Sequence, residues 1–353
     1  MNKKLLKMSR KIFLIIAASI LIIFTACSEN GIGPKPIEPG RRDYVWTVDT
    51  IQIFSNYIHS IWGSSPTDVW GVGPGGALTT TIWHYDGKGW TTDNVGRNIS
   101  PYCVYGFAQN DVWIAGQNGK IWHYDGNSWT QNYQHTINGF IGIDIYDLYG
   151  TKRNDLYAVG TVWFDNETRR GIILHYDGIK WGQKYLADFN SYFAKVRVSN
   201  DGKCIVHCIK QDVVNNTRDT TVFYEFNGNG LKEIYTDENE PRQQGWIGIV
   251  SGDIVFSLGN GIYKYVNGSL EPLINYNIQT LPGTYPGAVF GRNKKDIFII
   301  VWEGITHYNG TDIQMLLNEI GGADGAVLFN KEVFFLNTTL MNGISLIYHG
   351  KLK

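Results

Sequence analysis

Across residues 43–353, polar and apolar positions follow strand periods and never a helical one. Short stretches alternate or are apolar throughout, and turns rich in Gly, Asn and Asp separate them. The start of this body sets the pattern. It predicts a strand from Ile58 to Gly63, a turn through Ser64-Ser65-Pro66-Thr67, and a second strand Asp68-Val69-Trp70-Gly71-Val72-Gly73. A third strand, Thr81 to Tyr85, meets Asp86-Gly87, and a fourth starts near Trp90. Asp-Gly and Asn-Gly accept the positive φ of a type I′ turn, so a two-residue hairpin is expected there. The second strand is apolar on both alternations, which fits a strand covered on both faces. It recurs as Asp111-Val112-Trp113-Ile114-Ala115-Gly116, Asp155-Leu156-Tyr157-Ala158-Val159-Gly160, Asp253-Ile254-Val255-Phe256 and Asp296-Ile297-Phe298-Ile299.

The third strand repeats more visibly still. Trp83-His84-Tyr85-Asp86-Gly87 returns as Trp122-His123-Tyr124-Asp125-Gly126 and Leu174-His175-Tyr176-Asp177-Gly178. Weaker copies end at Gly228, Gly268, Gly310 and Gly350, so the turn glycines stand 39, 52, 50, 40, 42 and 40 residues apart. Units of about 40 residues with four strands each predict an all-β, seven-bladed β-propeller of antiparallel blades. The ends agree. The last unit stops at Lys353 with no room for a fourth strand, while Asp43-Tyr44-Val45-Trp46-Thr47-Val48 is an orphan resembling Gly89-Trp90-Thr91. A strand over about 43–50 joining the last blade would close the ring and remove an open edge.

Composition supports an all-β reading: 14% aromatic, 41 Gly and 18% charged residues. The N-terminus is separate. Lys3, Lys4, Lys7, Arg10 and Lys11 precede the 13-residue run Ile12 to Phe24, apolar but for Ser19 and too short to span a bilayer. Phe24-Thr25-Ala26-Cys27 resembles a bacterial lipoprotein signal. That resemblance implies a signal peptide over 1–26, lipidation (palmitate included) of Cys27, a flexible tether over 27–42, and an outer-membrane location with the lipid as the membrane contact. Removing 1–26 takes five basic residues and leaves a net charge of −6. A mildly acidic chain of this kind is a poor nucleic-acid binder.

The whole unit, Ser60-Ile61-Trp62-Gly63 through Asp68-Val69-Trp70-Gly71-Val72-Gly73 and Trp83-His84-Tyr85-Asp86-Gly87 to Trp90, resembles repeats of bacterial secreted and lipoprotein propellers. Some of those carry a glucosyltransferase label. It is also similar to tectonin-type lectin propellers. The resemblance covers 43–353, is sharpest in the first three units, and departs most at Lys203-Cys204-Ile205-Val206-His207-Cys208.

Candidate chemistry is sparse. Asp68, Asp111, Asp155, Asp253 and Asp296 each open a strand after a turn, where a carboxylate bond to the turn backbone is expected. His84, His123, His175 and His307 sit on different blades and would pack with a polar tip rather than share a metal. Gly71-Val72-Gly73-Pro74-Gly75-Gly76 lacks the helix that a dinucleotide fingerprint needs. Cys103, Cys204 and Cys208 are expected to be free buried thiols, because Cys204 and Cys208 lie too far apart along one strand to pair. No cofactor or metal is implied. The binding candidates are in the long units: Trp163, Phe164, Asp165, Arg169 and Arg170, then Arg218 and Asp219, with Tyr133, Tyr276 and Tyr285 from joining loops. Aromatic faces beside Arg and carboxylates suit sugar rings or a protein surface. The expectation is a non-catalytic, envelope-anchored module binding a glycan or an envelope or extracellular protein. The alternatives are a carbohydrate-active enzyme (glycosyl transfer or hydrolysis) and a structural platform in an envelope or secretion assembly.

Overall fold

The computed structural model describes residues 37–53, 57–165, 168–211, 219–237, 245–276, 281–284, 286–318, 325–339 and 343–353. Cys27, Arg218 and Tyr285 lie outside them. Among the described residues there are 28 strands and one short 3-10 turn, and no helix long and apolar enough to cross a membrane.

The strands form six antiparallel-built sheets, five of four strands and one of eight. Within each four-strand run the order in space follows the chain. The first sheet is Ser60–Ser65, Asp68–Val72, Ile82–Tyr85 and Trp90–Thr91, as the spacing predicts. The eight-stranded sheet joins two such runs through one short parallel pairing, Ile249 with Phe290 and Val250 with Gly291. The last sheet takes its fourth strand from the other end of the chain. Tyr44–Gln52 pairs antiparallel with Ile344–Leu352, so that Trp46 lies opposite Gly350 and Val48 opposite Tyr348.

Burial explains the sequence pattern. Second strands are covered on both faces: every residue of Asp68–Val72, Asp111–Gly116 and Asp296–Val301 is buried. Fourth strands look outward on one side, as in Trp129–Gln134, where only Trp129 is buried. Neighbouring sheets seal through aromatics. Trp70 packs on Tyr124 and Trp129 of the next repeat at 5.1 and 5.4 Å, and Trp113 on Tyr176 and Trp181 at 5.1 and 5.8 Å. Each fully buried aromatic of this kind contributes about 1.5–3 kcal/mol from area alone. Cys103, Cys204 and Cys208 are free and buried, as expected.

Two local expectations are corrected. Asp86-Gly87 is not a two-residue hairpin: Tyr85 pairs with Trp90, leaving four residues between them, and of these only Gly87 has positive φ (+92°). The Asp86 carboxylate accepts the N–H groups of Lys88 and Gly89 and holds the wider loop. Asn267-Gly268 alone of these turns has positive φ at both residues, +50° and +89°, with Val266 paired to Ser269. The strand-opening acids also do something other than bind turn backbone. Asp68 bonds His84 (2.7 Å), Asp111 bonds His123 (2.8 Å), Asp155 bonds His175 (2.7 Å), and Asp296 bonds His307 (2.8 Å). Glu332 and His349 make the equivalent pair at 2.7 Å. Each imidazole also lies against an aromatic of the second strand, such as Trp70 at 4.2 Å or Phe334 at 3.9 Å. The reason is register: Trp70 faces His84, so Asp68 two residues earlier is its diagonal neighbour on the same face.

Candidate functional site

The first strands of the repeats surround a cavity of about 290 Å³. Its two sides differ. Trp62, Tyr105, Tyr149, Asp147, Lys195 and Arg197 line one, and Ile247, Ile249, Val289, Phe290 and Leu328 the other. Asp147 is the hub of the polar side. Its Oδ2 accepts the Val196 N–H (2.9 Å) and Arg197 Nη1 (2.7 Å), while Lys195 Nζ stands 3.6 Å from Oδ1. The Arg197 guanidinium lies over Tyr149 at 5.1 Å.

Above this cavity, where the first strands begin, a glycine creates the site. Gly116 ends its second strand and Gly160 lies within its own (Asp155–Trp163), each opposite the first strand of the same repeat. A Cβ on Gly160 would lie 1.9 Å from the Asp144 carbonyl, and one on Gly116 2.0 Å from that of Ser100. That close approach accommodates a β-bulge in the first strand, at Tyr102 in one repeat and Tyr146 in the next. A bulge re-aims its extra residue. Gly73 meets the Tyr57 carbonyl at 2.0 Å, and His59 stands at the corresponding position in the first repeat. In the fourth repeat Cys208 replaces the glycine, the bulged residue is Ala194, and Tyr192 supplies the ring.

The outcome is a continuous arc. Tyr57 stacks on His59 (4.5 Å, 5°), His59 meets Tyr102 at 5.3 Å, Tyr102 meets Tyr146 at 5.7 Å, and Tyr146 meets Tyr192 at 6.0 Å. Arg169 closes it, lying 4.2 Å over Tyr192 and 4.9 Å over Trp163. All these rings are half-buried. Polar groups fix their angles: Gln117 donates to the Tyr102 hydroxyl (2.7 Å), Trp163 Nε1 to Asp144 (2.9 Å), and Arg169 Nε to Gln211. Burial lowers His59 to about 4, with help from the Lys195 charge, so its imidazole is neutral near pH 7. Burial raises Asp144 despite the Trp163 bond, and it raises the phenols of Tyr102, Tyr146 and Tyr192.

Several expected residues meet here. Trp163 and Arg169 are in the arc; Phe164 packs on Phe140 at 4.1 Å beneath the Arg170 guanidinium at 4.4 Å. Asp165 accepts the Thr168 N–H at 2.5 Å and shapes that hairpin. The Asp219 charge acts on Tyr192. Tyr133 and Tyr276 stand elsewhere. Tyr133 is in the fourth strand Trp129–Gln134, stacked on Trp181 and bonded to His135 (3.0 Å). Tyr276 donates to the carbonyls of Leu258 and Gly261, and burial pushes it up to about 12. Tyr57, His59, Tyr102, Tyr146 and Tyr192 were not anticipated. A signal for three of them was present: His59, Tyr102 and Tyr146 each precede by three residues an aromatic-Gly pair, Trp62-Gly63, Tyr105-Gly106 and Tyr149-Gly150. Among the described residues no group of three His, Cys, Asp or Glu could hold a metal.

No protein-family model and no curated protein sequence matches the chain. Solved structures do. YCF48 bound to D1 peptide is 15% identical with a TM-score of 0.60, over 88% of this chain and 99% of that one. YCF48 from Cyanidioschyzon merolae is 15% identical with a TM-score of 0.53, over 85% and 98%. The WD40 β-propeller domain of Doa1 is 8% identical with a TM-score of 0.54, over 86% and 97%. At these identities the likeness is one of fold, and the fold is a β-propeller.

Proposed function

We propose that the chain is a seven-bladed, tectonin-like propeller lipoprotein of the cell envelope whose channel mouth binds an extended segment of another protein, without catalysis. The count of seven is supported by reading the eight-stranded sheet as two blades, since among the described residues two parallel residue pairs join its halves. The observation that carries the binding reading is the arc from Tyr57 to Trp163. Half-exposed aromatic rings, held by hydrogen bonds and flanked by Arg, are the groups that dominate protein interfaces. A length of polypeptide can lie along such an arc, and the solved YCF48 with its D1 peptide gives a propeller precedent. Catalysis of glycoside hydrolysis needs two carboxylates facing an open gap of about 5–9.5 Å. Here Asp144 holds Trp163 and Asp147 holds Arg197, which favours binding.

The chain enters the ring on the rim opposite the mouth: the Gly40 N–H bonds the Lys295 carbonyl, and Arg42 bonds Asp312 (2.8 Å) and the His307 carbonyl (2.8 Å). By the resemblance of its signal, a lipid on Cys27 would hold the chain at the outer membrane. A glycan is the second reading, favoured by the half-exposed aromatic rings of Tyr102, Tyr146 and Trp163, since sugar rings stack on aromatic planes. One experiment separates them. The full chain in detergent is applied to a glycan array and, in parallel, to an envelope-protein pull-down, with Trp163→Ala and Arg169→Ala beside it. The expected result is silence on the array and a captured protein that both substitutions lose. Capture indifferent to both would refute the mouth as the binding face.

A further inference from the structure

The cavity under the mouth holds an imbalance of charge. Apart from tyrosines, the ionisable groups among the described residues that line it are Asp147, Lys195 and Arg197. Asp147 and Arg197 neutralise each other through the 2.7 Å bond, and the Val196 N–H adds a second donor to the same oxygen. Lys195 is left over. Its 3.6 Å approach to Asp147 is longer than a hydrogen bond, and its side chain is 29% exposed, toward a cavity whose far wall is Ile247, Ile249, Val289 and Phe290. A cation beside an apolar wall is poorly solvated and gains most from an anion that reaches it.

We propose that this cavity is an anion site for a peptide carboxylate, with Lys195 as its principal ligand and the aromatic arc guiding the peptide to it. This rests on the peptide reading of the mouth and adds the class of group recognised. The excess is one positive charge, matched to a monoanion. Lys195 Nζ has hydrogens available for a charge-assisted bond of about 2.7–2.9 Å. Arg197 is fixed by Asp147 and Tyr149, so it shapes the site and adds field without turning toward the ligand. The carboxylate comes from an acidic side chain or a free C-terminus.

The probe is a fluorescein-labelled hexapeptide, Gly-Tyr-Glu-Tyr-Glu-Gly amide, with its Gln-for-Glu counterpart as the amide and as the free acid, titrated into the full chain in detergent by anisotropy. The Glu peptide or the free acid should bind roughly tenfold more tightly than the neutral amide, about 1.4 kcal/mol. Whichever does so identifies the source of the carboxylate. Lys195→Met should erase that preference, so that acidic and neutral peptides bind the variant with equal affinity. Lys195→Glu should transfer the preference to a Lys-for-Glu peptide. Equal affinity for acidic and neutral peptides, or a preference that survives Lys195→Met, overturns the anion site and leaves the mouth reading standing. Absence of binding by every peptide overturns both.

Discussion

His207 offers a quantitative test of how the fourth repeat packs. It sits in the second strand Cys204–Lys210, 3% exposed, with neither ring nitrogen bonded to another described residue. Phe223 lies 5.0 Å away and Trp246 6.2 Å. Burial depresses it to about 3; Lys195 and Arg197 push the same way, and Asp147 opposes them. In the unfolded chain a histidine titrates near 6.5. A depressed histidine stabilises the fold in the neutral form. Its contribution is complete above about pH 6.5 and is lost as pH falls from there toward 3, because the unfolded chain takes the proton first. At pH 5 the unfolded imidazole is protonated roughly 30 to 1 while the folded one remains neutral, which costs about 2 kcal/mol of stability relative to pH 8. His59, lowered to about 4, adds a loss of similar size over the same window. Urea unfolding of the parent and of His207→Leu at pH 8, 7, 6 and 5 isolates the first share. The substitution should flatten the decline between pH 8 and 5 by about 2 kcal/mol. If parent and variant decline in parallel, His207 is not buried in a neutral form and the packing described for this repeat is wrong.

Gly160→Ala should destabilise the fold by about 1–3 kcal/mol, since its new carbon meets the Asp144 backbone and not a movable side chain, and it should weaken mouth binding by displacing Tyr146. Denaturation and the pull-down together check it; wild-type behaviour in both would remove the glycine from the account of the bulge. A chain beginning at residue 54 exposes Ile344–Leu352 as an edge strand, and self-association with a lowered melting temperature is expected by light scattering and calorimetry. Burial pushes the thiols of Cys204 and Cys208 up to about 12 and that of Cys103 well above its ordinary value, so iodoacetamide at pH 8 should label them only once urea unfolds the chain. Fast labelling of the native chain would contradict their burial.

What the sequence made legible was whatever depends on composition and period. Val69, Val112 and Ile297 are fully buried because strands apolar on both alternations need cover on both sides. The pairing of Tyr44–Gln52 with Ile344–Leu352 followed from a surplus strand at one end and a deficit at the other. The acid–histidine pairs were hidden by geometry. Their partners are 16, 12, 20, 11 and 17 residues apart, because the hairpin between second and third strands differs in length, while the cross-strand register stays fixed. The arc was hidden for a related reason. Tyr102 and Tyr146 reach the mouth by a bulge, and a bulge inverts the facing that simple alternation assigns.

Erosion of the repeat toward the C-terminus blurs the units in sequence, and it also makes the ring able to orient a ligand. A ring of identical blades would present the same groups around its axis and hold a single peptide in several equivalent poses. The first three repeats keep the glycine that closely approaches a first-strand carbonyl (Gly73, Gly116, Gly160) and place His59, Tyr102 and Tyr146 at the mouth. The fourth loses that glycine to Cys208 and instead sends Lys195 and Arg197 into the channel. The later ones contribute Ile247, Val289 and Leu328, with no charge. On the proposed reading one side would recognise the ligand and the other exclude water, so the interaction of Lys195 with an incoming carboxylate would be screened on one flank only. That asymmetry predicts that Ile249→Lys, which charges the silent wall, would loosen the preference for one pose over another even though the substituted residue touches none of the arc.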